Sequence, residues 1–160
     1  MSKHIVAAIA LLLTLSACKS KDAFKFSEDI VAKERSLKDD ITRTETEVEN
    51  YIKYELNDSI AAVSERMESL VNDKLEEIKA MKTPSAKGAD EFKDAAIKYF
   101  EFMKSLYTSY KNYGKAATDE EKSKVVAEMQ EILNKKDNAI NDMQNAQRKY
   151  AKANGFRLEK

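Results

Sequence analysis

The stretch from Lys19 to Thr83 contains neither glycine nor proline, which constrains the fold of this chain more than any other feature. Apolar residues recur there every three or four positions, the alternation typical of helices packed in bundles and coiled coils. The 160 residues include only 3 glycines and 1 proline, too few for a fold built on tight turns. The sequence therefore predicts an all-α protein with one folded domain.

Breaks in the apolar pattern predict four helices, which span residues 27–56, 59–82, 90–113 and 118–153. Extending the first apolar stripe beyond residue 56 would bring polar residues into the seam, so we expect a turn near residues 57–59. Short connections make neighbouring helices antiparallel, which predicts an up-down-up-down four-helix bundle. The long first and fourth helices either project together as a stem, or the fourth bends near residues 134–137.

Several residues suit the ends of these helices. We expect Ser27 to cap the first helix, and Asp58 or Ser59 to cap the second. Gly114 is expected to end the third as a left-handed cap, and Gly155 to end the fourth, with Phe156 and Leu158 folding back onto its last turn. The clearest signal is the capping box at the start of the fourth helix, formed by Thr118 and Glu121.

The N-terminus resembles a bacterial lipoprotein signal. A short basic start precedes the apolar run Ile5–Leu15, which has the length of a signal-peptide core and is too short to span a membrane. The run ends in Leu15-Ser16-Ala17-Cys18, which resembles the lipobox, whose cysteine is lipidated after cleavage just before it. We therefore expect a signal peptide at 1–17, a lipidated anchor and short tether at 18–26, and the bundle domain at 27–160.

Lipidation of Cys18 predicts how the protein is held in the cell. Two or three acyl chains, such as palmitate, anchor a protein durably, so the membrane is an expected partner. In many of the lipoproteins that this signal resembles, an Asp directly after the lipidated cysteine retains the protein at the inner membrane. Position 19 is Lys, so the resemblance implies attachment to the outer membrane. The sequence leaves open whether the domain faces the periplasm or the outside.

Charge and composition argue against several function classes. The 28 basic and 28 acidic residues balance, so nucleic acid is not an expected partner. His4 is the only histidine and Cys18 the only cysteine, and both are assigned to the signal and anchor segments. The sequence accordingly predicts no catalytic residues, no metal site and no cofactor, and we expect a protein that is not an enzyme.

Aromatic residues are concentrated in the predicted third helix. One interpretation is a surface or pocket that contacts a ligand or partner, and the other is a wide helix face filling the bundle core with tyrosine hydroxyls at its rim. Phe102 and Tyr113 lie at the edge of the apolar arc and are expected to be the most exposed. The candidate contact residues are Tyr99, Phe102, Met103, Tyr107, Tyr110 and Tyr113.

Two stretches, Glu91–Phe102 and Ala146–Phe156, together with the lipobox, resemble the LIC surface-protein family. These are small surface lipoproteins typical of certain Gram-negative bacteria. The resemblance covers roughly the second half of the chain and the anchor, and it implies an all-helical fold at the cell surface. It supplies no catalytic or ligand-binding residue.

These observations lead to two functional hypotheses. In the first, the protein is a membrane-anchored helical interaction module that docks an envelope protein. In the second, it faces the periplasm and binds a small ligand through the aromatic third helix.

Overall fold

A computed structural model describes the chain from residue 3 to residue 158, with side chains from residue 20 onward. Its helices are α1 (Lys3–Lys53), α2 (Asn57–Ala80), α3 (Ala89–Lys115), α4 (Asp119–Leu133) and α5 (Lys136–Asn154). They form an up-down-up-down bundle in which α4 and α5 together take the place of the fourth helix. The predicted all-α bundle is confirmed, and the described range contains no strand.

Helix α1 begins well before residue 27, so the prediction that Ser27 caps it is wrong. Ser27 is fully buried inside α1, and its Oγ accepts a hydrogen bond of 3.2 Å from Nε2 of Gln147 on α5. Residues 20–26, expected to belong to a tether, are helical, and Ala23 and Phe26 among them are buried in the core. Cys18 and the predicted signal peptide lie outside the residues whose side chains are described.

The core consists of a main apolar cluster shared by α1, α2, α3 and α5 and a small second cluster between α1 and α2. The end of the main cluster nearest the N-terminus is aromatic: the rings of Phe92 and Tyr150 stack with centroids 5.3 Å apart. Phe26 packs edge-on against both rings, at 6.2 and 6.1 Å. The largest fully buried aliphatic residues are Ile30, Leu37, Ile60, Met67, Val71, Leu75 and Ile78.

Helices α2 and α3 are in close backbone contact at Gly114. This glycine is helical rather than a left-handed cap, so the prediction for it is wrong. A Cβ added at Gly114 would lie 2.5 Å from both the backbone nitrogen of Ala61 and the carbonyl oxygen of Asn57. The residue is therefore required by backbone packing between helices, and α3 continues to Lys115.

The turn between α1 and α2 also differs from the prediction. It lies at residues 54–56 rather than 57–59, and neither Asp58 nor Ser59 caps α2, whose N-cap position is Leu56. Glu55 adopts a positive φ of 56°. Its N–H bonds to the carbonyl of Ile52 at 3.2 Å, and the N–H of Leu56 bonds to the carbonyl of Tyr51 at 2.9 Å. This is the Schellman pattern, with a glutamate where glycine is usual.

The capping box that begins α4 is confirmed. Thr118 Oγ1 accepts from the N–H of Glu121 at 3.2 Å, and Glu121 Oε2 accepts from the N–H of Thr118 at 3.1 Å. The helix ends at Leu133, and the chain bends at Asn134 and Lys135 before α5, which confirms the second of the two expected arrangements. Helix α4 has no fully buried residue and packs mainly on α3.

The C-terminal segment folds back onto the bundle as predicted. Gly155 takes the left-handed conformation at the end of α5, with φ of 72°. The N–H of Phe156 then bonds to the carbonyl of Ala151 at 3.2 Å. The ring of Phe156 packs edge-on against Tyr150 and Phe24, at 5.7 and 5.6 Å, which ties the C-terminus to the start of the bundle.

Candidate functional site

The six candidate contact residues of α3 do not converge on one site. Met103 and Tyr107 are buried in the core, whereas Tyr99, Phe102, Tyr110 and Tyr113 are half-buried. Phe102 faces Ile132 and Ala139 at the bend between α4 and α5. Phe102 and Tyr113 are thus less exposed than expected: α4 and α5 cover Phe102, and Tyr113 packs against the cluster of Val48, Ile60 and Val63.

The tyrosines that face α1 place their hydroxyls on its glutamates. Tyr99 Oη donates to Oε1 of Glu34 at 3.2 Å, and Tyr107 Oη donates to Oε1 of Glu45 at 2.9 Å. Burial, reinforced by the nearby carboxylates, raises the pKa of both tyrosines well above the usual value of 10. Burial and Glu45 likewise raise the pKa of Tyr110 to about 12. The aromatic face is therefore mainly core, with polar edges bonded across the bundle.

Of the five exposed large apolar side chains in the described part of the chain, three lie at the end of the bundle that carries the α1–α2 turn, and the other two are Phe24 and Val126. Ile52 is 42% exposed, Tyr54 64% and Leu56 46%. They lie within five consecutive positions and flank the strained Glu55. A concentration of large apolar residues in solvent is typical of an interaction surface.

The α3–α4 connection lies at the same end, because Gly114 contacts the first turn of α2. Lys122 of α4 holds its Nζ 5.7 Å from the ring centroid of Tyr113, a contact that joins α4 to the end of α3. We call residues 49–58 and 113–122 together the distal tip. It contains six acidic and three basic residues, so it combines apolar side chains with a negative charge.

The sequence missed this surface for an identifiable reason. Tyr51 and Ile52 both follow Val48 at the three- or four-residue spacing of the apolar stripe, although consecutive residues on a helix point about 100° apart. Tyr51 packs against the small cluster formed by Val48, Ile60 and Val63, so Ile52 faces solvent. The signal was present in the spacing, since only one of the two could continue the stripe.

The described part of the chain shows two further features. No group of three or more histidine, cysteine, aspartate or glutamate side chains there is placed to hold a metal ion. Among the described helices, none has an apolar stretch long enough to cross a membrane.

No protein-family model matches the chain, and neither curated proteins nor solved structures match it. The likeness of residues 91–102 and 146–156 to small surface lipoproteins therefore stays a prediction from the sequence.

Proposed function

We propose that the protein is a bacterial lipoprotein, anchored to the outer membrane through Cys18, that uses the distal tip to dock an envelope protein. The observation that carries the proposal is the exposure of Ile52, Tyr54 and Leu56 at one end of a well-packed bundle. The partner has an apolar surface patch bordered by lysine or arginine residues.

The position of the tip supports this role. Helix α1 runs from the anchor end to the α1–α2 turn without a break, so residue 53 lies about 50 Å from residue 20 at 1.5 Å per residue. A lipid at Cys18 holds the N-terminal end of the bundle at the membrane. The distal tip is then the part of the domain farthest from the lipid headgroups.

The chemistry of the tip supports the choice of partner. The three exposed apolar side chains supply an area that gains free energy when water is removed from it. The acidic excess around them favours a basic partner, speeds encounter with it and opposes self-association of two tips. For the same reason an anionic membrane surface is disfavoured.

Photo-crosslinking tests the docking role. Tyr54 is replaced by benzoylphenylalanine in the full chain, which is expressed in its native cells and irradiated. The matched control places the same residue at Phe24, whose 42% exposure equals that of Ile52 but which lies at the opposite end. We expect a discrete protein adduct from position 54 and none from position 24.

One further substitution and the identification of the partner make the test specific. Leu56→Asn in the position-54 protein is expected to abolish the adduct and leave the helical signal intact, because Leu56 is 46% exposed. The crosslinked partner is then identified, and its contact region should be basic and apolar. Docking through the tip would be contradicted by equal adducts from positions 24 and 54, by an adduct that persists in Leu56→Asn, or by no adduct at all.

A further inference from the structure

A cleft between α1 and α5, separate from the distal tip, has a volume of about 260 Å³. Tyr99 of α3 borders it on one side, and Leu158 of the folded-back C-terminal segment borders it on another. This volume is below the range of ~300–1,000 Å³ found for pockets of drug-sized ligands, which restricts an occupant to a small molecule.

The floor and the rim of the cleft differ in chemistry. Val31, Ile140 and Met143 supply aliphatic surface, and Met143 is 6% exposed. Glu28, Glu34 and Arg35 of α1 and Arg148 of α5 are the charged residues that line the cleft. The lining therefore has two negative and two positive side chains around an apolar floor.

The charges on the rim are able to bind a ligand. The closest approach of Arg35 Nη1 and Glu28 Oε2 is 3.9 Å, too long for a hydrogen bond, and both side chains are exposed. Arg148 donates to Oδ1 of Asn145 at 2.8 Å, which engages one of its five N–H groups. A ligand carboxylate and a ligand ammonium can each meet an opposite charge here without breaking a buried ion pair.

Two hydrogen bonds hold the walls of the cleft in place. Tyr99 fixes the carboxylate of Glu34 from α3, and Ser27 in the core fixes the amide of Gln147. Both bonds join different helices, so the side chains are positioned before any ligand enters. Such preorganisation reduces the entropy lost on binding.

We propose that this cleft binds a small zwitterion with an aliphatic side chain, the chemistry of a free aliphatic amino acid. Its ammonium group lies against the glutamates of α1 and its carboxylate against the arginines. Its side chain covers Val31, Ile140 and Met143. The site is independent of the docking role of the distal tip.

Three related probes test the charge requirement. L-leucine has both charges, N-acetyl-L-leucine has only the carboxylate, and L-leucinamide has only the ammonium. Binding of each to the full chain in detergent micelles is measured by isothermal titration calorimetry and by NMR of the leucine methyl signals. We expect L-leucine to bind, and each singly charged probe to bind about tenfold more weakly, as for the loss of one charged hydrogen-bonding group.

A pair of variants locates the site. Arg148→Gln is expected to weaken L-leucine binding by about tenfold. The control, Lys149→Gln, removes the same charge from the next residue of α5, which lines a different surface. Equal binding of all three probes, no binding of L-leucine, or equal effects of the two variants would overturn the proposal. Crosslinking at position 54 reports on the tip alone, so the two proposals fail separately.

Discussion

The hydroxyl of Tyr107 on α3 donates a 2.9 Å hydrogen bond to Oε1 of Glu45 on α1. The ring of Tyr107 is buried, so this bond joins the two helices at the edge of the core. Tyr99 and Glu34 repeat the arrangement about two turns away, at 3.2 Å. The tyrosines of α3 thus fill the core with their rings and bind α1 with their hydroxyls.

Removing the Tyr107 hydroxyl should therefore destabilise the bundle. Tyr107→Phe keeps the ring and removes the 2.9 Å hydrogen bond to Glu45, and we expect a loss of about 1–2 kcal/mol in the free energy of unfolding. Urea denaturation followed by circular dichroism measures it. The matched control is Tyr150→Phe, because the Tyr150 hydroxyl is buried with no hydrogen-bond partner among the described residues. Equal losses in the two variants would disprove the stabilising role of the Tyr107–Glu45 bond.

Packing at Gly114 leads to a second prediction. In Gly114→Ala the new methyl group meets the backbone of Asn57 and Ala61, which cannot move as a flexible side chain could. We expect the free energy of unfolding to fall by about 3 kcal/mol, whereas helix propensity alone would raise it by about 1 kcal/mol. A stability equal to or above that of the native chain would show that α2 and α3 do not approach this closely.

Gly155→Ala is the comparison for that variant. No atom lies within 4 Å of the added Cβ at Gly155, and its cost comes only from the positive φ of 72°. A smaller loss, about 1 kcal/mol, is expected there. The two glycines look alike as helix-end signals in the sequence, and the structure separates them: one is needed for packing and one for backbone conformation.

Removing the backbone strain at Glu55 is expected to stabilise the protein. Its φ of 56° places a glutamate in the left-handed region, which glycine adopts without steric cost. Glu55→Gly should raise the free energy of unfolding by about 0.5–1 kcal/mol, with the gain limited by the greater entropy of glycine in the unfolded chain. Thermal unfolding measures it. A lower melting temperature would mean that the carboxylate stabilises the turn by more than the strain costs.

Alkaline pH should destabilise the bundle through its tyrosines. Burial and nearby glutamates hold the pKa of Tyr99 and Tyr107 above the ordinary value, and burial raises that of Tyr150 to about 12. Above pH 10 the unfolded chain loses these protons and the folded chain keeps them, so stability present below pH 10 is lost as the pH rises. Thermal unfolding at increasing pH should show a melting temperature that falls above pH 10, and tyrosinate absorbance should show that Tyr99, Tyr107 and Tyr150 stay protonated while the chain is folded. Ionisation of these three tyrosines near pH 10 in a folded chain would contradict this.

Periodicity predicted the helices because burial follows spacing along the chain. The capping box at Thr118 and the left-handed Gly155 were also predictable, since each depends on residues within one helical turn. The α1–α2 turn was misplaced because its left-handed residue is Glu55 and carries no glycine signal. The role of Gly114 depends on the distance between two helices, which local sequence does not encode.

The candidate surfaces were predictable only in part. The aromatic residues of α3 are mainly core residues rather than a contact surface. The sequence could not distinguish these two interpretations, because a helix face that binds a partner and a face that packs in a core have the same composition. Exposure of Ile52 follows from the phase of α1 relative to Tyr51. The α1–α5 cleft is lined by residues of α1, α3 and α5 and by Leu158, which are far apart in the sequence, so only the tertiary structure shows that they meet.

Membrane association of Cys18→Ala is the most direct test of the proposal that the chain is anchored through this residue and displays its tip. The full chain, Cys18→Ala and the control Ser20→Ala are expressed in native cells, labelled with a palmitate analogue and fractionated. We expect the native chain and Ser20→Ala to be labelled and to sediment with the outer membrane, and Cys18→Ala to be unlabelled and released. Retention of unlabelled Cys18→Ala in the membrane fraction would contradict the account.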